Sequence, residues 1–174
     1  MTVPPPTPTG TVANGRHGSE IYITRSFQAA VEDVWAAVTE SPRLERWIGR
    51  WEGDPASGQV QFFMTAEGED VPAEKVDIIE CAPPHRLALD LRSNTPDGVQ
   101  LWQLRLELSQ DGDVTTLLFA QVLVEDLASV GPGWEYYLDR LTAALDGRDP
   151  GSVAWDDYFP AMSGYYANLA KASR

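Results

Sequence analysis

The chain has 174 residues, 43% of them hydrophobic and 22% charged, which is the composition of a single globular domain. Its formal net charge is −13, and so acidic a surface is unsuited to nucleic acids or anionic membranes, so we expect neither as a partner. No apolar run has the length of a transmembrane helix and the N-terminus lacks a signal-peptide pattern, so a cytoplasmic protein is expected.

The first structural change along the chain comes at Ser19. Residues 1–18 contain four prolines and three glycines without any periodic apolar pattern, which predicts a disordered, Pro/Gly-rich leader. The next segment, 20–27, is rich in β-branched and aromatic residues and predicts strand one.

Two short helices are predicted after strand one. Val31, Val34, Trp35 and Val38 fall at i, i+3, i+4 and i+7, which is one apolar face of a helix. Pro42 suits the first turn of a second helix, because its missing N–H costs nothing there. Strand, helix and helix therefore follow one another before the next strand.

Five further strands follow; apolar and polar residues alternate most clearly in the fourth and fifth strands of the chain, and the sixth strand is apolar on both faces. We place them at residues 59–65, 71–81, 87–91, 102–108 and 114–124. Cys81, the one cysteine, follows two isoleucines and is expected to be a buried structural thiol. A lone cysteine also excludes an internal disulfide.

A long helix is predicted after the last strand. Gly131-Pro132-Gly133 resembles a helix start, and apolar residues then recur at helical spacing: Trp134, Leu138, Leu141 and Leu145. Because the strands are grouped and the helices stand apart, the pattern predicts an α+β fold and not a doubly wound parallel sheet.

Residues 148–174 lie beyond this unit and carry aromatic residues three to four positions apart. Pro160 divides them into two helical pieces, so we predict an aromatic helical C-terminal extension. Docking on the same domain is the main interpretation. A homodimer contact or a lid over a pocket are the alternatives, because exposed aromatic surface marks contact sites.

Four motifs together resemble a known family. Phe27-x-Ala29-x-x-x-Asp33-Val34-Trp35-x-Ala37-x-Thr39, followed by Leu44-x-x-Trp47, is similar to the opening motif of the activator of heat-shock-protein-90 ATPase homologue-like family, within the SRPBCC or START-like superfamily. Three shorter motifs match in the same order: Pro83-Pro84-x-Arg86-Leu87, Gly112-x-x-Thr115-x-Leu117, and Gly133-Trp134 before a run of leucines. The resemblance covers about residues 19–147, which we take as the domain.

The resemblance implies a helix-grip fold, in which a curved six-stranded antiparallel sheet wraps around the long C-terminal helix and two short helices follow strand one. It also implies a cavity for a hydrophobic small molecule between sheet and helix. A co-chaperone-like interaction module is one alternative, although residues 1–18 are too short for the separate N-terminal domain of the eukaryotic co-chaperones. A cyclase- or hydrolase-type enzyme that uses the same cavity is another.

The predicted ligand-binding residues are the large apolar side chains that the strands and the long helix would present to such a cavity. They are Trp47 and Trp51 at the mouth, with Phe62, Met64, Leu89, Trp102, Leu104, Leu117, Phe119, Trp134, Leu138 and Leu141 along the walls. The alternative interpretation is that these side chains fill a solid core.

Catalytic and metal-binding motifs are not found in the sequence. Two histidines and one cysteine cannot supply a cluster of metal ligands, so neither a metal nor a cofactor is expected. Glu67 and Glu69 are the candidates for carboxylate acid–base chemistry, but a solvated acidic turn is the simpler interpretation. Ligand binding without catalysis is therefore the favoured function.

Overall fold

One curved antiparallel sheet organises the molecule. The computed structural model describes residues 4–15, 17–123 and 126–172. Its strands are, in chain order, Thr11–Gly15 (β1), Gly18–Phe27 (β2), Arg50–Glu52 (β3), Gln59–Phe63 (β4), Glu74–Ala82 (β5), Arg86–Thr95 (β6), Gly98–Asp111 (β7) and Val114–Val122 (β8). They are arranged in the order β1-β2-β8-β7-β6-β5-β4-β3.

Four helices complete the fold: Val31–Thr39 (α1), Ser41–Leu44 (α2), Leu127–Leu145 (α3) and Ser163–Ala172 (α4). The long helix α3 packs Leu138 and Leu141 against the inner face of the sheet, where Ile23, Leu117 and Phe119 are buried. This sheet wrapped around a long helix is the predicted helix-grip fold, of the α+β class. Within the described residues, no helix is both long and apolar enough to cross a membrane.

Helix α1 buries the face that the apolar spacing predicts. Val31, Val34 and Val38 are buried, whereas Trp35 is only half-buried. The start of α1 is held from the sheet, because the Gln110 side chain accepts a hydrogen bond from the Val31 N–H at 2.9 Å. This contact fixes α1 over one end of the sheet and closes the core there.

The sheet has eight strands, so the prediction of six is wrong by two. The additional strands are β1 and β3, which have five and three residues. Neither has an apolar alternation that the sequence could reveal, and each forms because a neighbouring strand supplies the hydrogen-bond partners. The predicted end of the last strand at Val124 lies outside the described residues.

Helix α3 begins four residues before the predicted start at Gly131. Gly131 and Pro132 lie inside the helix and are buried. Gly131 is required there by packing, because a Cβ at this position would lie 2.3 Å from Cγ of Tyr166. The glycine thus leaves room for a tyrosine ring of α4 against α3.

A buried ionic cluster joins the two ends of the chain to the domain. The Glu135 carboxylate, on α3, accepts hydrogen bonds from the backbone N–H groups of Thr9 at 2.7 Å and Gly10 at 3.0 Å. It also accepts bonds from the Tyr166 hydroxyl and, at 2.6 Å, from the Arg25 guanidinium. The prediction of a disordered leader over residues 1–18 is therefore wrong for residues 9–15, because this carboxylate and the edge of β2 supply their backbone partners.

The same cluster continues to the C-terminal extension through a second carboxylate. Asp139 accepts a bond from Arg25 at 2.9 Å and one from the Tyr158 hydroxyl at 2.6 Å. We call Arg25, Glu135, Asp139, Tyr158 and Tyr166 the Glu135 cluster. Its two tyrosine rings are buried within the chain, so residues 148–172 dock on the domain in this structure. The homodimer through residues 148–174 stays a prediction.

Hydrogen bonds decide the charge of the central carboxyl group. Burial alone would raise the pKa of Glu135, but the hydrogen bonds from Tyr166, Arg25 and Thr9 outweigh it and hold that pKa below its ordinary value. Glu135 is therefore ionised, and its negative charge is compensated by hydrogen bonds and an ion pair within the fold.

Candidate functional site

A cavity of about 1140 Å³ lies between the inner face of the sheet, α3 and the segment from α1 to β3. Ligand pockets commonly measure ~300–1,000 Å³, so this space is large enough for a sizeable organic molecule. The wall is mostly apolar and includes seven aromatic residues of the sheet and α3: Trp51, Phe62, Trp102, Phe119, Trp134, Tyr136 and Tyr137.

The register of the sheet arranges the wall in rows that run across the strands. One row consists of Val60, Val76, Leu91 and Trp102, which pair in that order from β4 to β7. The next contains Ile78, Leu89 and Leu104, and the one after it contains Cys81, Leu87, Leu106 and Phe119. Since alternate residues of a strand share a face, these rows make a continuous apolar surface.

A polar row closes this surface at the end near the β6–β7 hairpin. Ser93 pairs directly with Gln100, and Glu74 lies beside Ser93 because the next residues, Lys75 and Arg92, are paired. All three members of this polar row line the cavity. Glu67, in a short 3-10 turn after β4, lines the same cavity.

The negative charge of Glu67 affects the pKa of two other groups of the cavity. Burial raises the pKa of Glu74, a hydrogen-bonding contribution from Ser93 lowers it, and the negative charge of Glu67 raises it again, so that the net effect is upward. Burial also raises the pKa of Tyr137, and Glu67 adds to that effect. The cavity therefore holds a carboxyl group whose charged form is poorly stabilised by the protein.

Ten of the twelve residues predicted to bind a ligand line this cavity. They are Trp47, Trp51, Phe62, Met64, Leu89, Trp102, Leu104, Phe119, Trp134 and Leu138. Leu117 and Leu141 do not, because they lie in the closed core beneath α1 and are fully buried. Leu117 pairs with Leu108 near the end of the sheet that α1 covers, so no space is left beside it.

The two tryptophans predicted at the mouth have structural roles as well. Trp47 is only 5% exposed, and its indole N–H donates to the Ala37 carbonyl at 2.9 Å, so it is a wall residue and not a mouth residue. The indole N–H of Trp51 donates to the Thr39 carbonyl at 2.7 Å. Both indole donors are thus used to hold α1 against the following segment.

Two further indoles of the wall, those of Trp134 and Trp102, differ from each other. Trp134 Nε1 donates to the side chain of Gln121 at 2.5 Å, and its ring lies against Phe119 with the centroids 4.3 Å apart. Trp102 Nε1 is buried and has no hydrogen-bond partner in the part of the chain that the structure describes. A buried donor without a partner costs about 1–3 kcal/mol, and a ligand that accepts a hydrogen bond would remove that cost.

The C-terminal extension also contributes to the wall, through Trp155. Its ring makes an edge contact with Tyr136 at 5.2 Å between centroids and stacks on Phe159 at 5.6 Å. Trp155 is still 41% exposed, which places it at the rim of the cavity. The extension thus contributes a residue to the rim of the cavity, and the lid over a pocket stays a prediction.

Three sequence expectations about individual residues change. Cys81 is exposed and not buried, because β4 ends before it and leaves that edge of β5 uncovered. Glu69 is exposed and is not among the lining residues, whereas Glu67 is. Glu74, Ser93 and Gln100 were not among the predicted site residues, although each continues the inward alternation of its strand.

Comparisons with known proteins agree with this architecture. The family model of Activator of Hsp90 ATPase homolog 1-like protein matches residues 28–146. The crystal structure of CalU16 from Micromonospora echinospora is 28% identical, with a TM-score of 0.70 over 93% of this chain and 96% of that one. Its solution NMR structure gives 23% identity and a TM-score of 0.73 over 97% of both chains.

A third solved structure shows the same fold at lower identity. EF2215 from Enterococcus faecalis is 16% identical, with a TM-score of 0.70 over 95% of this chain and 92% of that chain. A search of curated proteins finds no match. The matched segment spans β3 to β8, both short helices and α3, which are the elements that enclose the cavity.

Proposed function

The chain belongs to the activator of Hsp90 ATPase homolog 1-like family, within the SRPBCC superfamily, and we propose that it binds a lipophilic small molecule between the sheet and α3. The observation that carries this proposal is the cavity of about 1140 Å³ with its rows of apolar side chains. A solid core of the same residues would have left no such space.

The energetics of such a wall favour a lipophile. Burial of apolar surface contributes ~25 cal/mol per Å², so a ligand that buries about 300 Å² gains ~7 kcal/mol before the cost of immobilisation. Among the aromatic wall residues, Phe119 and Trp134 are already held by their mutual contact. The wall on that side is therefore preorganised and needs little ordering when a ligand binds.

Binding can be tested with a neutral probe and a narrowed cavity. Leu89 and Leu104 pair across β6 and β7 in the middle of the wall. The double variant Leu89→Trp, Leu104→Trp should weaken Nile red binding at least about tenfold, because two indoles would occupy the centre of the cavity. Fluorescence titration gives the affinity, and native mass spectrometry shows whether a molecule co-purifies with the wild type.

The matched control is Leu101→Trp, which adds an indole to β7 at a position that is already exposed. Circular dichroism must show that all variants keep the fold. Equal Nile red affinity in the double variant and the control would contradict binding in the cavity.

An enzyme of the cyclase or hydrolase type is the second candidate function. It requires a titratable side chain in the cavity, and Glu67 and Glu74 meet that requirement. Turnover of a bound molecule by the wild type, with binding but no turnover in Glu74→Gln, is the result that would support it.

A further inference from the structure

The charged groups of the cavity wall are all of one sign. Glu40, Glu67, Glu74 and Asp126 line the cavity, and the lining residues that the structure describes include no lysine, arginine or histidine. An anionic ligand would meet four like charges and no counter-charge in this wall. Carboxylates and phosphates are therefore disfavoured as ligands.

Elsewhere in the described chain, several buried or half-buried carboxylates have a basic partner. Asp77, on the outer face of β5, pairs with Arg92 at 2.8 Å, and Glu20 pairs with Arg105 at 3.2 Å. Within the described part of the chain, by contrast, none of the four cavity carboxylates forms an ion pair. Glu74, the half-buried member of the four, is therefore a cavity carboxylate without a cation among the described residues.

Glu74 is the best placed of the four carboxylates to meet a bound molecule. It is half-buried and stands in the polar row that ends the apolar rows of the wall. Nε1 of Trp102, which has no hydrogen-bond partner among the described residues, lies two strands away, about 10 Å across the sheet, and one row, about 7 Å, along the strand. One end of the cavity therefore offers an anionic acceptor and, at a distance that an elongated ligand can span, a hydrogen-bond donor.

We propose that the cavity selects lipophiles that carry a protonated amine, with the ammonium bound by Glu74 and an ether, hydroxyl or carbonyl oxygen of the ligand bound by Trp102. The apolar body of the ligand then lies along the rows of aliphatic side chains. This inference rests on the proposed ligand-binding function and adds the charge and polarity of the ligand to it.

The test uses three probes of similar shape and different charge: diphenylmethylamine, diphenylmethanol and diphenylacetate. Isothermal titration calorimetry at neutral pH should give the tightest binding for the amine, about tenfold weaker binding for the alcohol and the weakest for the carboxylate. In Glu74→Gln, the amine should lose about tenfold in affinity and the alcohol should bind as before.

Glu107→Gln is the matched control, because Glu107 lies on the outer face of β7 and its removal changes the net charge equally. Equal loss of amine affinity in Glu107→Gln would mean nonspecific attraction and would overturn the inference. Equal affinities for amine and alcohol in the wild type would also overturn it, while leaving ligand binding intact. If none of the three probes and no Nile red binds, the proposed function itself fails.

Discussion

Two glutamates on opposite sides of the molecule's long helix have opposite surroundings: Glu135 belongs to α3 itself, and Glu74 belongs to β5. Glu135 faces β2 and α4, and the protein surrounds its carboxylate with donors from three separate segments. Glu74 looks into the cavity that the other face of α3 covers, and it has no cationic partner among the described residues. The fold thus satisfies the charge of Glu135 with its own hydrogen bonds and ion pair, whereas the charge of Glu74 is left without a cationic partner among the described residues.

The pKa directions record this difference. The hydrogen bonds around Glu135 overcome its burial and lower its pKa, whereas burial dominates at Glu74 and raises its pKa. A residue that lowers the free energy of the folded state is expected to be costly to remove. A residue whose charge the fold does not stabilise is expected to cost little stability when it is replaced. Such a charge is more typical of a functional site than of a structural one.

The largest expected effect is on stability when Glu135 loses its charge. Glu135→Gln should reduce the free energy of unfolding by about 3 kcal/mol, because Arg25, in a largely buried position, would keep only Asp139 as an ion-pair partner among the described residues. Glu74→Gln should change it by less than about 0.5 kcal/mol or raise it slightly. Urea denaturation of both variants measures the contrast, and similar losses in the two would contradict it.

A smaller effect is expected from the glycine that admits Tyr166 to α3. Gly131→Ala should cost about 1–3 kcal/mol, because its Cβ would meet the tyrosine ring and overpack this contact. Gly133→Ala is the matched control two residues later, where nothing lies within 4 Å, and it should stabilise the helix by about 1 kcal/mol. Thermal melts of the pair decide the sign, and a stabilising Gly131→Ala would show that α4 does not dock as described.

The smallest effect is the pH dependence of the two glutamates, and its signs are opposite. The folded pKa of Glu135 lies below its ordinary value of 4.5, so its stabilisation is present above about pH 4.5 and is lost as the pH falls below that value. The folded pKa of Glu74 lies above 4.5, so its charge costs stability at neutral pH and that cost disappears as the pH falls toward 4.5.

Denaturation midpoints measured from about pH 7 to about pH 3 test both signs. The stability advantage of the wild type over Glu135→Gln should shrink only below about pH 4.5. Any advantage of Glu74→Gln over the wild type should shrink before that pH is reached. A wild type whose advantage over Glu135→Gln grows with acidity would contradict the assignment.

The sequence predicts those strands and helices that are long enough to show strand alternation or helical spacing of apolar residues. Six strands and both helices beside strand one are found from alternation and helical spacing, and the family resemblance supplies their arrangement. The strands β1 and β3 are missed because partner strands, and not their own residues, specify them. The start of α3 is misplaced because Gly131 and Pro132 resemble a boundary, whereas Gly131 lies inside the helix to leave room for Tyr166.

The site is predicted less completely than the fold. Alternation identifies apolar residues that face inward, but it does not show where the cavity ends, so Leu117 and Leu141 are included although the core closes over them. The polar row is missed because Glu74, Ser93 and Gln100 come from three strands, and only the register brings them together. A sequence shows each inward residue separately, whereas a ligand meets them as a set.

The exposed cysteine at the edge of β5 provides one position for chemical labelling. Cys81 is the one cysteine of the chain, it is exposed, and it lines the cavity three rows from Glu74. A thiol-reactive fluorophore would therefore label the wild-type protein at one position, with no residue replaced. Because Cys81 lies seven residues beyond Glu74 on β5, the label would lie on the order of 20 Å from the polar row, and its emission could report how far along the wall a bound molecule extends.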